Sequence, residues 1–170
     1  MLAIPLVAQF PWSMGDFVVM GVLLFGAGLM YVLIARLSDI VAYRMAVGIA
    51  VAAGLLLIWV NLAVGIIGSE NNPANQLYAG VLLVGFIGAA FARFRPRQMS
   101  LAMYATAIAQ ILAPVMALIV WRSTFDEPPG IVGIFILNGF FAALFVVSGV
   151  LFRQASRTTS RGEDKPVEDR

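Results

Sequence analysis

Five long apolar blocks, separated by short polar segments, dominate the hydrophobic pattern of the chain. They cover residues 17–35, 45–67, 77–94, 99–121 and 131–152. Each block is close to the roughly 20 residues that an α-helix needs to cross about 30 Å of hydrocarbon. Apolar residues occupy all sides of each block instead of one stripe, which excludes amphipathic surface helices. The pattern predicts an all-α protein, a polytopic bundle of five transmembrane helices.

The ends of the chain differ from this central part. Residues 1–16 are apolar but contain Pro5, Pro11 and Trp12, and we expect them to lie at the membrane interface. The five-helix domain then covers residues 17–152. The tail, residues 153–170, is polar and has no apolar periodicity, so we expect it to be disordered.

The basic residues predict how the helices are oriented. Cytoplasmic loops of membrane proteins are enriched in Lys and Arg. Five spans with the N-terminus outside place all but Arg122 of the eleven basic residues on the cytoplasmic side. Those on that side are Arg36, Arg44, Arg93, Arg95, Arg97, Arg153, Arg157, Arg161, Lys165 and Arg170. We therefore predict an outside N-terminus and a cytoplasmic C-terminus.

Composition narrows the chemistry that the chain can carry. It is 61% hydrophobic and 12% charged and contains no cysteine or histidine, whereas about 25% of residues in soluble domains are charged. The absence of cysteine excludes disulfides and thiol nucleophiles. The absence of histidine removes the commonest metal ligand and the usual general base. We expect no catalytic residue, no metal and no cofactor. The basic residues lie at helix ends, where topology explains them, so we expect no nucleic-acid partner.

Four neutral polar residues interrupt the apolar spans: Asn61, Thr106, Gln110 and Asn138. No span has an ionisable residue near its centre, which argues against proton-coupled transport. Two interpretations remain open. The four side chains are hydrogen-bond partners between helices, which we favour because an unpaired amide in hydrocarbon is costly. Alternatively they line a polar pocket that opens to the outer face, with Gln110 at its bottom.

The loop after the second span is a second candidate site, formed by Glu70, Asn71, Asn72 and Asn75. One carboxylate with amide oxygens would make a weak site for a cation or a polar ligand. Asparagine also caps turns and helix starts. We favour capping, with Asn75 as the N-cap of the third helix.

Small residues indicate where helices meet. The fourth span has alanines at a strict four-residue spacing: Ala105, Ala109, Ala113 and Ala117. Such rows let helix backbones approach closely in membranes, so we predict a contact face there. Pro114 interrupts the same span and is expected to kink it, as a structural feature or as a hinge.

Three stretches of the chain resemble a known family. They are residues 59–75 (WVNLAVGIIGSENNPAN), 91–97 (FARFRPR) and 137–145 (LNGFFAALF). The chain is similar there to small multi-helix bacterial inner-membrane proteins of unknown function. The resemblance implies a bacterial cytoplasmic-membrane location and supplies no activity, substrate or catalytic residue.

Three functional hypotheses follow from these features. We favour a non-enzymatic accessory or assembly subunit that contacts another membrane protein or a second copy of itself. The alternative is a small transporter or channel for a neutral polar solute, based on Asn61, Gln110 and Asn138. An enzyme that acts on lipid through Glu70 or the acidic pair at 126–127 ranks last, because no base, nucleophile or metal set accompanies these carboxylates.

Overall fold

The computed structural model describes residues 14–69, 71–121 and 130–163. Over these residues the protein is helical and has no strand. The α-helices are α1 (Met14–Ala35), α2 (Val41–Ala63), α3 (Leu77–Phe91), α4 (Pro96–Val120) and α5 (Gly130–Glu163), with a 3-10 helix (Pro73–Gln76) directly before α3. All five are long and apolar enough to cross a membrane, the third when its 3-10 turn is included. The prediction of an all-helical protein with five candidate spans is confirmed.

Several helix boundaries differ from the sequence prediction, most clearly those of α1 and α2. α1 begins at Met14 instead of residue 17, so residues 14–16 belong to the helix. Asp16 lies in its first turn, where a carboxylate interacts favourably with the positive end of the helix dipole. Residues 1–13, for which we predicted an interfacial position, lie outside the described residues. α2 is shifted towards the N-terminus and ends at Ala63 instead of residue 67, because the chain reverses immediately afterwards.

The prediction of a disordered tail is wrong for residues 153–163, because α5 continues to Glu163. Phe152 and Ala155 have no exposed surface. The Phe152 ring meets the edge of Tyr43 at a centroid distance of 5.2 Å, which fixes the helix to the bundle. Apolar contacts one turn apart therefore carry the helix past the last apolar block. Residues 164–170 lie outside the described residues.

The helices pack in the order α1, α2, α5, α4, α3. α5 packs against both α4 and α2, α3 packs against the other side of α4, and α1 packs chiefly against α2. The connections alternate between two ends of the bundle. The arginine end carries Arg36, Arg44, Arg93, Arg95, Arg97 and Arg153, and the loop end carries residues 64–76. At the arginine end the Tyr43 hydroxyl donates a 3.0 Å hydrogen bond to the Phe94 carbonyl and ties α2 to the turn between α3 and α4.

Glycines set the distance between α3 and α4. A Cβ atom added at Gly88 would lie 2.8 Å from Cβ of Ala102, and one at Gly85 would lie 3.3 Å from Oγ1 of Thr106. These two helices can approach only because both side chains are missing, as small residues permit in membrane bundles.

The predicted alanine row of α4 is not a continuous contact face. Ala113 and Ala117 are buried, but Ala105 is exposed. A four-residue step advances about 400° around a helix, so a strict row drifts by about 40° at each step. The buried face instead follows mixed steps of four and three residues through Ala102, Thr106, Gln110, Ala113 and Ala117.

Candidate functional site

Asn75 organises the loop between α2 and α3. Its side chain is 4% exposed and makes four hydrogen bonds with the backbone of that loop. Oδ1 accepts from the N–H groups of Ile66 (3.1 Å) and Ile67 (2.9 Å), and Nδ2 donates to the carbonyls of Ile67 (3.3 Å) and Ser69 (2.8 Å). One amide thereby satisfies buried backbone groups that have no helix to pair with.

Gly65 makes the chain reversal at the end of α2. Its φ is +71°, a region that side chains disfavour. A Cβ atom there would lie 2.6 Å from the Ser69 carbonyl oxygen and 2.8 Å from Nδ2 of Asn75. The reversal turns Ile66 and Ile67 into the bundle, where both side chains are fully buried. The loop is thus a packed part of the core and closes the loop end between α2 and α3.

The predicted cap was placed on the wrong asparagine. Asn72, not Asn75, is the N-cap, because its Oδ1 accepts a 2.9 Å hydrogen bond from the Ala74 N–H at the start of the 3-10 helix. Pro73 follows at the first helical position, where its missing N–H costs nothing. Asn71 is exposed, and Glu70 lies outside the described residues. The amide oxygens of Asn72 and Asn75 are thus already occupied by backbone donors.

Asn61 connects the end of α2 to the same loop. Its Nδ2 donates a 3.2 Å hydrogen bond to the backbone carbonyl of Asn75. Its Oδ1 is buried and has no hydrogen-bond partner among the described residues. Asn61 therefore extends the polar contacts of the loop into the space between the helices.

A second polar contact lies deeper in the bundle, between α4 and α5. Nε2 of Gln110 donates a 2.9 Å hydrogen bond to Oδ1 of Asn138. Nδ2 of Asn138 donates in turn to the Ile134 carbonyl at 2.8 Å. Neither side chain has exposed surface. The structure thus brings these two predicted residues together as a pair between helices.

Thr106 is buried one turn before Gln110, but among the described residues its side chain makes no hydrogen bond to another helix. Its Oγ1 donates a 2.8 Å hydrogen bond to the Ala102 carbonyl of the same helix. A threonine in a span commonly bonds to the carbonyl four residues earlier in this way. Thr106 is therefore satisfied locally and lies against Gly85 instead of joining the amide pair.

Sequence reasoning missed several buried polar residues, among them Ser148 and Tyr78. Ser148 donates a 2.8 Å hydrogen bond from Oγ to the Ala46 carbonyl and joins α5 to α2. Tyr78 is 1% exposed, and its hydroxyl lies beside the Asn138 side chain without a well-aligned hydrogen bond. A serine in an apolar span has no sequence signal that shows whether it is buried. Tyr78 lies just inside a span, and that position was a usable hint.

Asn61, Asn75, Tyr78, Asn138 and Gln110 together form what we call the amide lane. It consists of two groups, the hydrogen-bonded Asn61 and Asn75 at the loop and the cluster of Tyr78, Asn138 and Gln110 deeper in the bundle. Three buried side-chain atoms lack a hydrogen-bond partner among the described residues, and all three belong to it: Asn61 Oδ1, Tyr78 OH and Gln110 Oε1. Pro114 has no N–H to donate to the Gln110 carbonyl four residues earlier. The lane can accept and donate hydrogen bonds, but it has no group that exchanges protons near neutral pH.

No protein-family model, curated protein or solved structure matches this chain. The resemblance to small bacterial inner-membrane proteins therefore stays a prediction.

Proposed function

We propose that this protein is a non-enzymatic accessory or assembly subunit of a bacterial cytoplasmic membrane, acting through helix–helix contacts. The observation that supports this function is the exposure of α1, which among the described residues packs only against one side of the bundle. No residue is buried in the most apolar 18-residue stretch of α1, whereas 22–39% of residues are buried in those of the other four spans. A helix that contributes so little to its own bundle is available to another membrane protein.

One face of α1 has the composition of a helix contact. Gly21 and Gly28 are seven residues apart and point within about 20° of each other around the helix. Among the described residues, neither has any atom within 4 Å of an added Cβ, and Phe25, between them, is 73% exposed. Glycine destabilises a helix by about 0.5–1 kcal/mol relative to alanine. Small residues on a membrane helix are favoured where a second backbone approaches.

The remaining helices support a scaffold role. The loop end is closed by the packed loop around Asn75, and the amides of Gln110 and Asn138 pair inside the bundle. Such contacts hold helices in one arrangement. They provide α1 with a rigid support from which to contact a partner.

Chemical crosslinking in native membranes tests this proposal. We expect the chain to crosslink to a defined partner or to a second copy, and Gly21→Leu with Gly28→Leu to abolish that product. Gly80→Leu is the matched control, because Gly80 on α3 also has nothing within 4 Å. Loss of the product in the control as well, or a lone monodisperse monomer in mild detergent, would contradict the proposal.

The orientation with an outside N-terminus and a cytoplasmic C-terminus is part of the same proposal. It is supported by the collection of Arg36, Arg44 and the 93–97 turn at one end. The chain has no cysteine, so single-cysteine variants can be labelled selectively. In intact cells an impermeant maleimide should label Asn71→Cys and not Gln98→Cys, and both residues are exposed. The opposite pattern would reverse the orientation.

A second candidate function is supported by the amide lane. Three unpartnered polar atoms in one lane are what a path for water or a neutral polar solute would require. In proteoliposomes, shrinkage under gradients of glycerol or urea would measure such transport. Gln110→Leu should abolish it, while Gln98→Leu, at an exposed position of the same helix, should not. Permeability equal to that of protein-free vesicles would reject this candidate.

A further inference from the structure

A groove opens between α1 and α2 at the arginine end. It is lined by Tyr31, Val41, Arg44, Met45, Gly48 and Ile49. Gly48 forms its floor, because a Cβ atom there would already lie 3.4 Å from Cε2 of Tyr31. The groove is shallow, open to the outside and mainly apolar, with one guanidinium group at its mouth.

Arg44 has donor capacity left at that mouth. Its side chain is 46% exposed. Within the described residues, Nε donates to the Ser38 carbonyl at 3.1 Å and Nη2 to Oδ1 of Asp39 at 2.8 Å. Nη1 takes no part in these bonds. Arg44 follows Val41 by three residues and so lies in the first turn of α2, about 4.5 Å along the axis from the helix start.

We propose that this groove binds an anionic phospholipid, with its phosphate on Arg44 and one acyl chain against Met45 and Ile49. Guanidinium groups bind phosphate through two parallel N–H donors. Basic pockets between membrane helices bind anionic headgroups for this reason. A partner helix fits the groove less well, because it would have to remove the Arg44–Asp39 pair from water. The proposal is independent of the crosslinking partner of α1.

Asp39 allows a prediction of whether lipid binding becomes stronger or weaker when a charge is removed. Its carboxylate is fully exposed and competes with a lipid phosphate for the same guanidinium. If the Arg44–Asp39 ion pair had only a structural role, removing either charge would have similar effects on lipid binding. A lipid site instead requires opposite effects, with weaker binding in Arg44→Gln and stronger binding in Asp39→Asn.

Native mass spectrometry of the full chain with added phosphatidylglycerol or phosphatidylcholine measures this binding. We expect phosphatidylglycerol to be preferred, and Arg44→Gln to weaken its binding about fivefold, as for loss of one arginine near a membrane surface. Asp39→Asn should strengthen it. Gly48→Leu should reduce binding by filling the groove without a change in charge.

Arg97→Gln is the control, since Arg97 is exposed at the same end but does not line the groove. It should leave binding within twofold of the wild type. Equal retention of the two lipids would overturn the proposal, and so would equal losses in Arg44→Gln and Arg97→Gln. Arg44 and Asp39 are exposed, so their variants keep the test decisive even where Gly48→Leu does not fold.

Discussion

Nε2 of Gln110 donates a 2.9 Å hydrogen bond to Oδ1 of Asn138 at a position where neither side chain is exposed. The bond joins the middle of α4 to α5, the two helices that pack together most extensively. If one amide is removed, the other has no water with which to form a replacement hydrogen bond. The pair therefore fixes the relative rotation and depth of the two helices.

Replacement of both amides should cost less than the two single replacements added together. Gln110→Leu or Asn138→Leu alone leaves one buried amide unpaired, which costs about 1–3 kcal/mol. The coupling in the double variant should be about 0.6–1.7 kcal/mol, the range measured for membrane hydrogen bonds. Unfolding free energies in mixed micelles provide the measurement. Additive single effects would mean that the two side chains do not interact.

Asn75→Ala should open the loop end. The substitution removes the Nδ2 donor group and the Oδ1 acceptor of the Asn75 side chain. The N–H groups of Ile66 and Ile67 are then left unpaired. Each buried unpaired group costs about 1–3 kcal/mol. Hydrogen exchange at these two amides should accelerate by at least tenfold. Asn71→Ala, at an exposed position of the same loop, should leave the exchange unchanged.

Gly65→Ala and Gly80→Ala should have opposite effects on stability. Gly65 has a φ of +71°, and an added Cβ would lie 2.6 Å from the Ser69 carbonyl. We expect a loss of about 2 kcal/mol or more from strain and displacement of the loop. Gly80 is helical with open space around it, so alanine should stabilise the protein by about 0.5–1 kcal/mol. Thermal unfolding in detergent compares the two; destabilisation by both would refute the argument.

Tyr78→Phe should be neutral or stabilising. Its buried hydroxyl has no hydrogen-bond partner among the described residues, so its removal avoids a desolvation cost. Tyr43→Phe is the matched comparison, because that hydroxyl donates to the Phe94 carbonyl and its loss should cost about 0.5–1.5 kcal/mol. A marked destabilisation by Tyr78→Phe would indicate that the hydroxyl is bound, either by the Asn138 side chain beside it or by a polar molecule as the transport candidate requires.

Part of the candidate site was predictable from single residues. An amide inside an apolar span must find a partner or lie in a polar cavity, so the sequence alone singles out Asn61, Gln110 and Asn138. It does not identify their partners. Gln110 and Asn138 are 28 residues apart in sequence, and helices that are apolar on every side do not indicate which face meets a neighbour.

The sequence by itself determined the number of helices and their approximate limits. Backbone groups in lipid must be satisfied within each segment, so the length of an apolar block defines a helix. Only the tertiary structure decided where α2 ends, what Asn75 does and which alanines of α4 are buried. Those features depend on contacts between segments distant in sequence, such as Ile66 and Ile67 packing beside α4 and α5, and local patterns of hydrophobicity contain no information about them.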